Sequence, residues 1–162
     1  PPHRAFMTSL RVAGAALNQT PLDWAGNRRN ILRAIEAARA EGVAVLCLPE
    51  LAISGYGCED AFFADYVAAR SLESLLLITE ATEGMAVCVG LPMAWENCMY
   101  NVVAMLHDRR LLGLVAKQEL AGDGVHYEPR WFKPWPEGTR TTVRLPGLAE
   151  PVPFGDLIFE ID

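Results

Sequence analysis

The chain has 162 residues, is 51% hydrophobic and 21% charged, and carries a formal net charge of −6. That length and balance suit one domain with a real core and exclude a disordered chain. The acidic surplus leaves no basic footprint for nucleic acid or an anionic membrane. The apolar runs break well before the ~20 residues of a membrane span.

Residues 1–9, PPHRAFMTS, read as an expression remnant or disordered lead, with Met7 as a natural start. They are too short and polar for a secretory signal, so a cytoplasmic location is expected. LRVAGAALNQ (Leu10–Gln19) is small, apolar and β-like, and Asn18, Thr20 and Pro21 break it. Asp23 can cap a helix whose Ile31, Leu32, Ile35 and Ala38 share one stripe, with Arg28, Arg29, Arg33, Glu36 and Arg39 mostly elsewhere. Gly42 ends it, and VAVLCL (Val43–Leu48) reads as a fully buried strand. Strand, helix, strand is a βαβ unit with parallel strands.

A Gly-rich loop follows, then a helical window at Tyr66–Ala81 and a third buried strand at Met85–Leu91. Met99–Leu106 and Leu111–Lys117, joined by HDRR, predict a β-hairpin. Gln118–Pro153 is rich in Pro, Gly and Trp, and the only strand expected there is Thr141–Leu145. DLIFEID (Asp156–Asp162) reads as the start of another strand, so the α/β domain looks unfinished.

The four cysteines, Cys47, Cys58, Cys88 and Cys98, form no C-x-x-C pair, and His3, His107 and His126 do not cluster. Neither a disulfide framework nor a metal site is indicated. Cys47 and Cys88 lie in apolar runs and are expected to be buried.

Three charges stand out. Glu50 lies just beyond the Val43–Leu48 run, with Gly55 and Gly57 allowing a sharp turn behind it. It is either a solvated charge ending a strand or a base at the carboxyl rim of a sheet, where open α/β folds hold their ligands. Lys117 ends its own apolar run, as a snorkelling side chain or as a fixed charge for an oxyanion. Glu128, among His126, Tyr127, Pro129 and Trp131, belongs to a structural loop or to a desolvated site. Burial would raise its pKa unless Lys117 or Arg130 offsets the effect.

The motifs ALNQTPLDWAGN, CLPELAISGYGCED, VCVGLP and VAKQELAGDGVHYEPRWF, in this order, resemble the amidase domain of glutamine-dependent NAD synthetases, in the nitrilase superfamily. The resemblance implies an α-β-β-α sandwich, incomplete at its C-terminal side, with residues 10–162 as the N-terminal part of the amidase domain and the synthetase domain absent. It implies Glu50 as general base, Lys117 at the oxyanion, and Glu128 and Tyr56 as supporting or substrate-binding residues. Glutamine is the implied substrate, cleaved through a thioester. No cofactor is implied for the amidase domain, whereas ATP and magnesium belong to the synthetase domain that would use the ammonia. A homo-oligomer is expected of the intact enzyme.

The family's nucleophilic cysteine follows both the glutamate and the lysine in sequence, and it is expected to lie outside this chain, which alone would then be inactive. Cys58, in GCED, stands too close behind Glu50 and in the wrong order to replace it. Cys98 is expected to be structural. Two other readings are open: a stand-alone carbon–nitrogen hydrolase of a small amide or nitrile, and a non-catalytic interaction domain of the same fold. A downstream ATP-binding domain would mark the synthetase, and an extended chain without the cysteine would mark the interaction domain.

Overall fold

A computed structural model describes residues 9–161, so the reading of the lead falls on 1–8, outside the described residues, apart from Ser9. β1 (Val12–Gly14) enters a loop that ends at Asp23, whose carboxylate accepts from Gly26 N and caps α1 (Trp24–Ala40). Ile31, Ile35 and Ala38 are the buried stripe of α1, whereas Leu32 is only half-buried. The helix stops where Gly42 N and Val43 N bond back to Arg39 O and Ala38 O. β2 (Val45–Cys47) then pairs parallel with β1, completing the expected βαβ unit.

A 3-10 turn (Tyr56–Phe63) and α2 (Asp65–Thr79) lead into β3 (Ala86–Trp95), parallel to β2. β4 (Cys98–His107) returns antiparallel to β3, and β5 (Arg110–Ala116) antiparallel to β4. Both links are two-residue turns with positive φ throughout, Glu96–Asn97 (47°, 61°) and Asp108–Arg109 (46°, 60°). They match the twist of a hairpin. The second hairpin was expected and the first was not. After the short α3 (Glu128–Trp131), β6 (Arg140–Val143) and β7 (Val152–Gly155) complete one seven-stranded sheet in the order β1-β2-β3-β4-β5-β7-β6.

α1 and α2 cover one face, where Ile31, Ile35, Leu75 and Ile78 pack on Leu46, Val87, Val89 and Ala104. Each of these Ile, Leu and Val side chains contributes about 1.5–3 kcal/mol by leaving water. These are one helical layer and one sheet layer of the sandwich. The far face is thinner: Cys47 and Val103 are exposed and Cys88 is half-buried. The expectation that Val43–Leu48 is buried on both faces, and Cys47 and Cys88 with it, is therefore corrected. β2 alternates, with Leu46 inward and Cys47 outward.

Two further corrections fall late in the chain. Residues 157–161 form no strand; β7 lies earlier, and Leu157 and Phe159 sit over Gly113 of β5. The aromatics of the irregular segment also reach the core, with Trp135 stacked among Trp95, Tyr100 and Phe154 at centroid distances of 5.3, 5.3 and 4.5 Å. No helix among the described residues is long and apolar enough to cross a membrane.

Candidate active site

Glu50 is placed by what lies under it. The Pro49–Leu51 backbone crosses directly over Gly90 of β3, where a Cβ would fall 2.4 Å from Leu51 N and 2.9 Å from Pro49 O. Only glycine permits that approach. Ile53 N bonds to Gly90 O (3.1 Å), and Asn27, buried on α1, donates to Ile53 O and Thr20 O at 3.2 and 2.8 Å. Gln19 Nε2 adds a bond of 2.7 Å to Ala52 O. Gly55, at φ 83°, presses on Pro21, where a Cβ would lie 2.9 Å from backbone atoms. Gly57 has an ordinary φ of −86°, so of the two glycines only Gly55 supplies the positive φ of the turn.

Lys117 follows β5 and is fixed through its own backbone: its N–H donates to Asn101 O (2.9 Å) and its carbonyl accepts from Trp135 N (3.0 Å). Its ammonium then reaches both glutamates. Nζ lies 2.6 Å from Glu50 Oε1 and 2.9 Å from Glu128 Oε2. Glu128 opens α3 and is 1% exposed; besides Lys117 it accepts from Ala121 N (2.8 Å) and from Tyr56 Oη (2.8 Å). The loop from 121 to 128 is closed a second time by Glu128 N on Ala121 O. All four residues singled out from the sequence, Glu50, Tyr56, Lys117 and Glu128, therefore meet in one cluster at the rim of the sheet.

Sequence reasoning missed a fifth. Asn101 of β4, 3% exposed, donates from Nδ2 to Glu50 Oε1 at 2.6 Å. Its signal was a lone amide inside the apolar run MYNVVAML, since a buried polar group must find a partner. Glu50 Oε1 thus takes two donors, while Oε2 takes none among the described residues. One carboxylate oxygen is anchored and the other is free for proton transfer.

The charges are set by contact. Burial pushes the Glu128 carboxyl up, but Lys117, the Ala121 N–H and the Tyr56 hydroxyl outweigh it, and the group sits below the usual carboxylate range. Burial likewise pulls Lys117 down, and its two carboxylate partners more than restore it, so the ammonium is held above its ordinary value. Tyr56 is pushed well up by burial and then by Glu128, which keeps its hydroxyl a donor. Arg130, the other cation considered for Glu128, pairs instead with Asp60.

None of the four cysteines hydrogen-bonds to Glu50, Lys117 or Glu128 among the described residues. Cys58 is buried beside Leu51 and Phe62 with Sγ on Ser54 O and Gly55 O, both at 3.2 Å, and burial raises its thiol. A raised, apolar thiol is inert as a nucleophile. Cys98 begins β4 and is half-buried.

A protein-family model described as carbon-nitrogen hydrolase matches residues 11–160. The glutamine-dependent NAD(+) synthetase of Rattus norvegicus is 37% identical over 158 residues, which cover 92% of this chain and 22% of that protein. The Saccharomyces cerevisiae protein of the same name is 34% identical, with the same coverage. The crystal structure of a glutamine-dependent NAD(+) synthetase from Cytophaga hutchinsonii matches with a TM-score of 0.92 and 44% identity, over 96% of this chain and 26% of that one. An amidase from Nesterenkonia sp. shares the fold, with a TM-score of 0.67 at 22% identity, over 84% of this chain and 51% of that one. The chain spans about a fifth of the length of the curated relatives it matches. With the match running through nearly all of the described residues, the chain belongs to the carbon-nitrogen hydrolase family and has the nitrilase fold.

Proposed function

We propose that this chain supplies the base and oxyanion groups of a glutaminase, the ammonia-generating part of a glutamine-dependent NAD synthetase. The observation that carries the reading is the ammonium of Lys117 set between two carboxylates, 2.6 Å from Glu50 and 2.9 Å from the buried Glu128. The names of the relatives, glutamine-dependent NAD(+) synthetases, support glutamine as the amide.

In this reading a cysteine thiol attacks the side-chain carbonyl of glutamine while Glu50 Oε2 takes the thiol proton. An ammonium has three donors. Lys117 directs two at Glu50 and Glu128, which leaves the third for the oxyanion of the tetrahedral intermediate. Collapse of the intermediate breaks the C–N bond, and Glu50 returns its proton to the leaving ammonia. Water, deprotonated by Glu50, then cleaves the thioester to glutamate and the free thiol. Glu128 and Tyr56 hold Lys117 in line. The thiol is none of the four cysteines of this chain, and a segment outside residues 1–162 provides it. The ammonia passes to a synthetase domain that amidates adenylated nicotinic acid adenine dinucleotide, with ATP and magnesium bound in that domain.

Ammonia release from glutamine by the gene-length protein tests the reading. Glu50→Gln should lower kcat by about 10²–10⁴-fold, the usual weight of a general base, and the 162-residue chain alone should release none. Unchanged turnover in Glu50→Gln would remove the base assignment. A preference for a small aliphatic amide over glutamine would move the protein to the stand-alone hydrolases.

A further inference from the structure

Tyr56 and Glu128 sit on separate segments, the 3-10 turn and α3, and a second set of bonds joins the same two segments. The Asp60 carboxylate accepts from Arg130 Nε at 2.7 Å and Nη2 at 2.8 Å, a parallel fork, and from Trp131 Nε1 at 2.9 Å. Three donors from one side of α3 thus close on one side chain of the turn. Beneath them Phe62 packs against Phe132 and Trp131, at centroid distances of 4.8 and 5.9 Å.

We infer that Asp60 is a positioning residue, whose clamp on Arg130 and Trp131 sets the contact between Tyr56 and Glu128 and through it the seat of Lys117. The inference rests on the glutaminase reading for its kinetic consequence, not for its geometry. Asp60 is four residues past Tyr56 on the turn, and Arg130 and Trp131 are two and three past Glu128 on α3. Any rotation of α3 that breaks the fork also moves the Glu128 carboxylate relative to the Tyr56 hydroxyl, now 2.8 Å apart. The loop from 122 to 127 that leads into α3 is exposed. His126 within it meets the Tyr56 ring edge-on at a centroid distance of 6.0 Å, with Nδ1 3.2 Å from Tyr56 Oη, so the clamp shares the placing of Tyr56 with an exposed ring. Glu59, just before Asp60, has a positive φ of 50° and marks a kink within the turn.

The clamp is poorly suited to being a mere staple. Its side chains are 58% and 60% exposed, and exposed ion pairs add little to stability. What a bidentate Arg–carboxylate pair does supply is direction. Loss of the clamp should therefore change the rate much more than the melting temperature.

The test is a double-mutant cycle in the gene-length protein, with Asp60→Ala, Tyr56→Phe and the pair, read by kcat/KM for ammonia release from glutamine. Asp60→Ala should lower kcat/KM by about tenfold, the scale of a sub-ångström misplacement. On the Tyr56→Phe background the same change should cost less than about twofold, because the contact it sets is already gone. Equal cost in both backgrounds, or unchanged kcat/KM in Asp60→Ala, overturns the inference. If Asp60→Ala does not fold, Arg130→Gln, which leaves Trp131 on the carboxylate, takes its place in the cycle. A crystal structure of the variant gives a readout independent of turnover. Separation of Tyr56 Oη from Glu128 beyond hydrogen-bonding distance supports the clamp, and an unmoved pair refutes it. A wild-type protein inert towards glutamine would defeat the glutaminase reading, and the crystal readout would still decide the clamp.

Discussion

The two ends of the sheet carry ion pairs of the same chemistry in opposite surroundings. At the rim past β2 and β5, Lys117 meets Glu50 and Glu128, with side-chain exposures of 28%, 39% and 1%. At the opposite end, Arg109 in the β4–β5 turn meets Glu83 beside β3, with exposures of 53% and 69%. The rim charges are fixed by other groups as well: Asn101 on Glu50, and Tyr56 with the Ala121 amide on Glu128. The turn pair rests mainly on two long side chains in water. Burial with full pairing makes a charge costly to disturb and precise in place, whereas exposure makes it dispensable.

The largest break in that contrast is Lys117→Met. It leaves the Glu128 carboxylate buried with its neutral donors and no cation, and unpairing of this kind costs about 3–5 kcal/mol. Urea unfolding at neutral pH should show a loss of that size, and ammonia release should vanish with it. Retention of full stability would mean that the rim pair is as slack as the turn pair.

Glu128→Gln should be milder and should depend on pH. Glu128 is held below its ordinary value of 4.5, so its charge stabilises the fold fully above that value. The contribution fades as pH falls through the lowered folded value, where the native carboxylate takes up its proton. The stability gap between wild type and Glu128→Gln should therefore be about 1–3 kcal/mol at pH 7, the scale of a lost charged hydrogen bond, and should close in acid. A gap that widens on acidification would reverse the sign and with it the pairing.

Asn101→Ala comes next. It removes one of the two donors on Glu50 Oε1 and opens a small gap in β4, for about 1 kcal/mol of stability. Its expected effect on turnover is larger, about tenfold, because Glu50 then has Lys117 as its single anchor. Unaltered kcat in a folded Asn101→Ala protein would reduce Asn101 to strand packing.

How much of this was legible in the sequence follows the same contrast. The Asp23 cap, the Ile31–Ile35–Ala38 stripe and the stop at Gly42 are local signals, and each stands where the chain chemistry puts it. Glu50 and Lys117 were legible as charges ending apolar runs, but their meeting needed motif order, because no local spacing brings β2 and β5 to one rim. Asn101 was hidden because its partner lies on another strand. The β3–β4 hairpin was hidden because Glu96–Asn97 adopts a glycine-like turn without glycine. Cys47 was misread because an apolar run alone cannot show which face a sheet covers; α1 and α2 bury Leu46 and leave its neighbour exposed. β7 was lost in PVPFG, whose prolines argue against a strand. It serves because the ladder with β5 starts only at Phe154, beyond Pro153, while Val152 and Phe154 are buried.

The smallest prediction sits at the opposite end. Arg109 combines an exposed ion pair with a left-handed backbone, φ 60°, next to Asp108 at 46°. The pair is worth about 0–1 kcal/mol and is screened by salt. The backbone costs a residue with a Cβ about 1 kcal/mol more than it costs glycine. Arg109→Ala should therefore lose only the pair, and the loss should disappear in high salt. Arg109→Gly loses the same pair but relieves the turn, giving the Asp-Gly sequence that such two-residue hairpins favour. It should be more stable than Arg109→Ala by about 1 kcal/mol in urea unfolding at any ionic strength. Were Arg109→Ala instead to cost as much as Lys117→Met, the number of partners around a charge, and not its burial alone, would have to be reconsidered as what separates the two ends of the sheet.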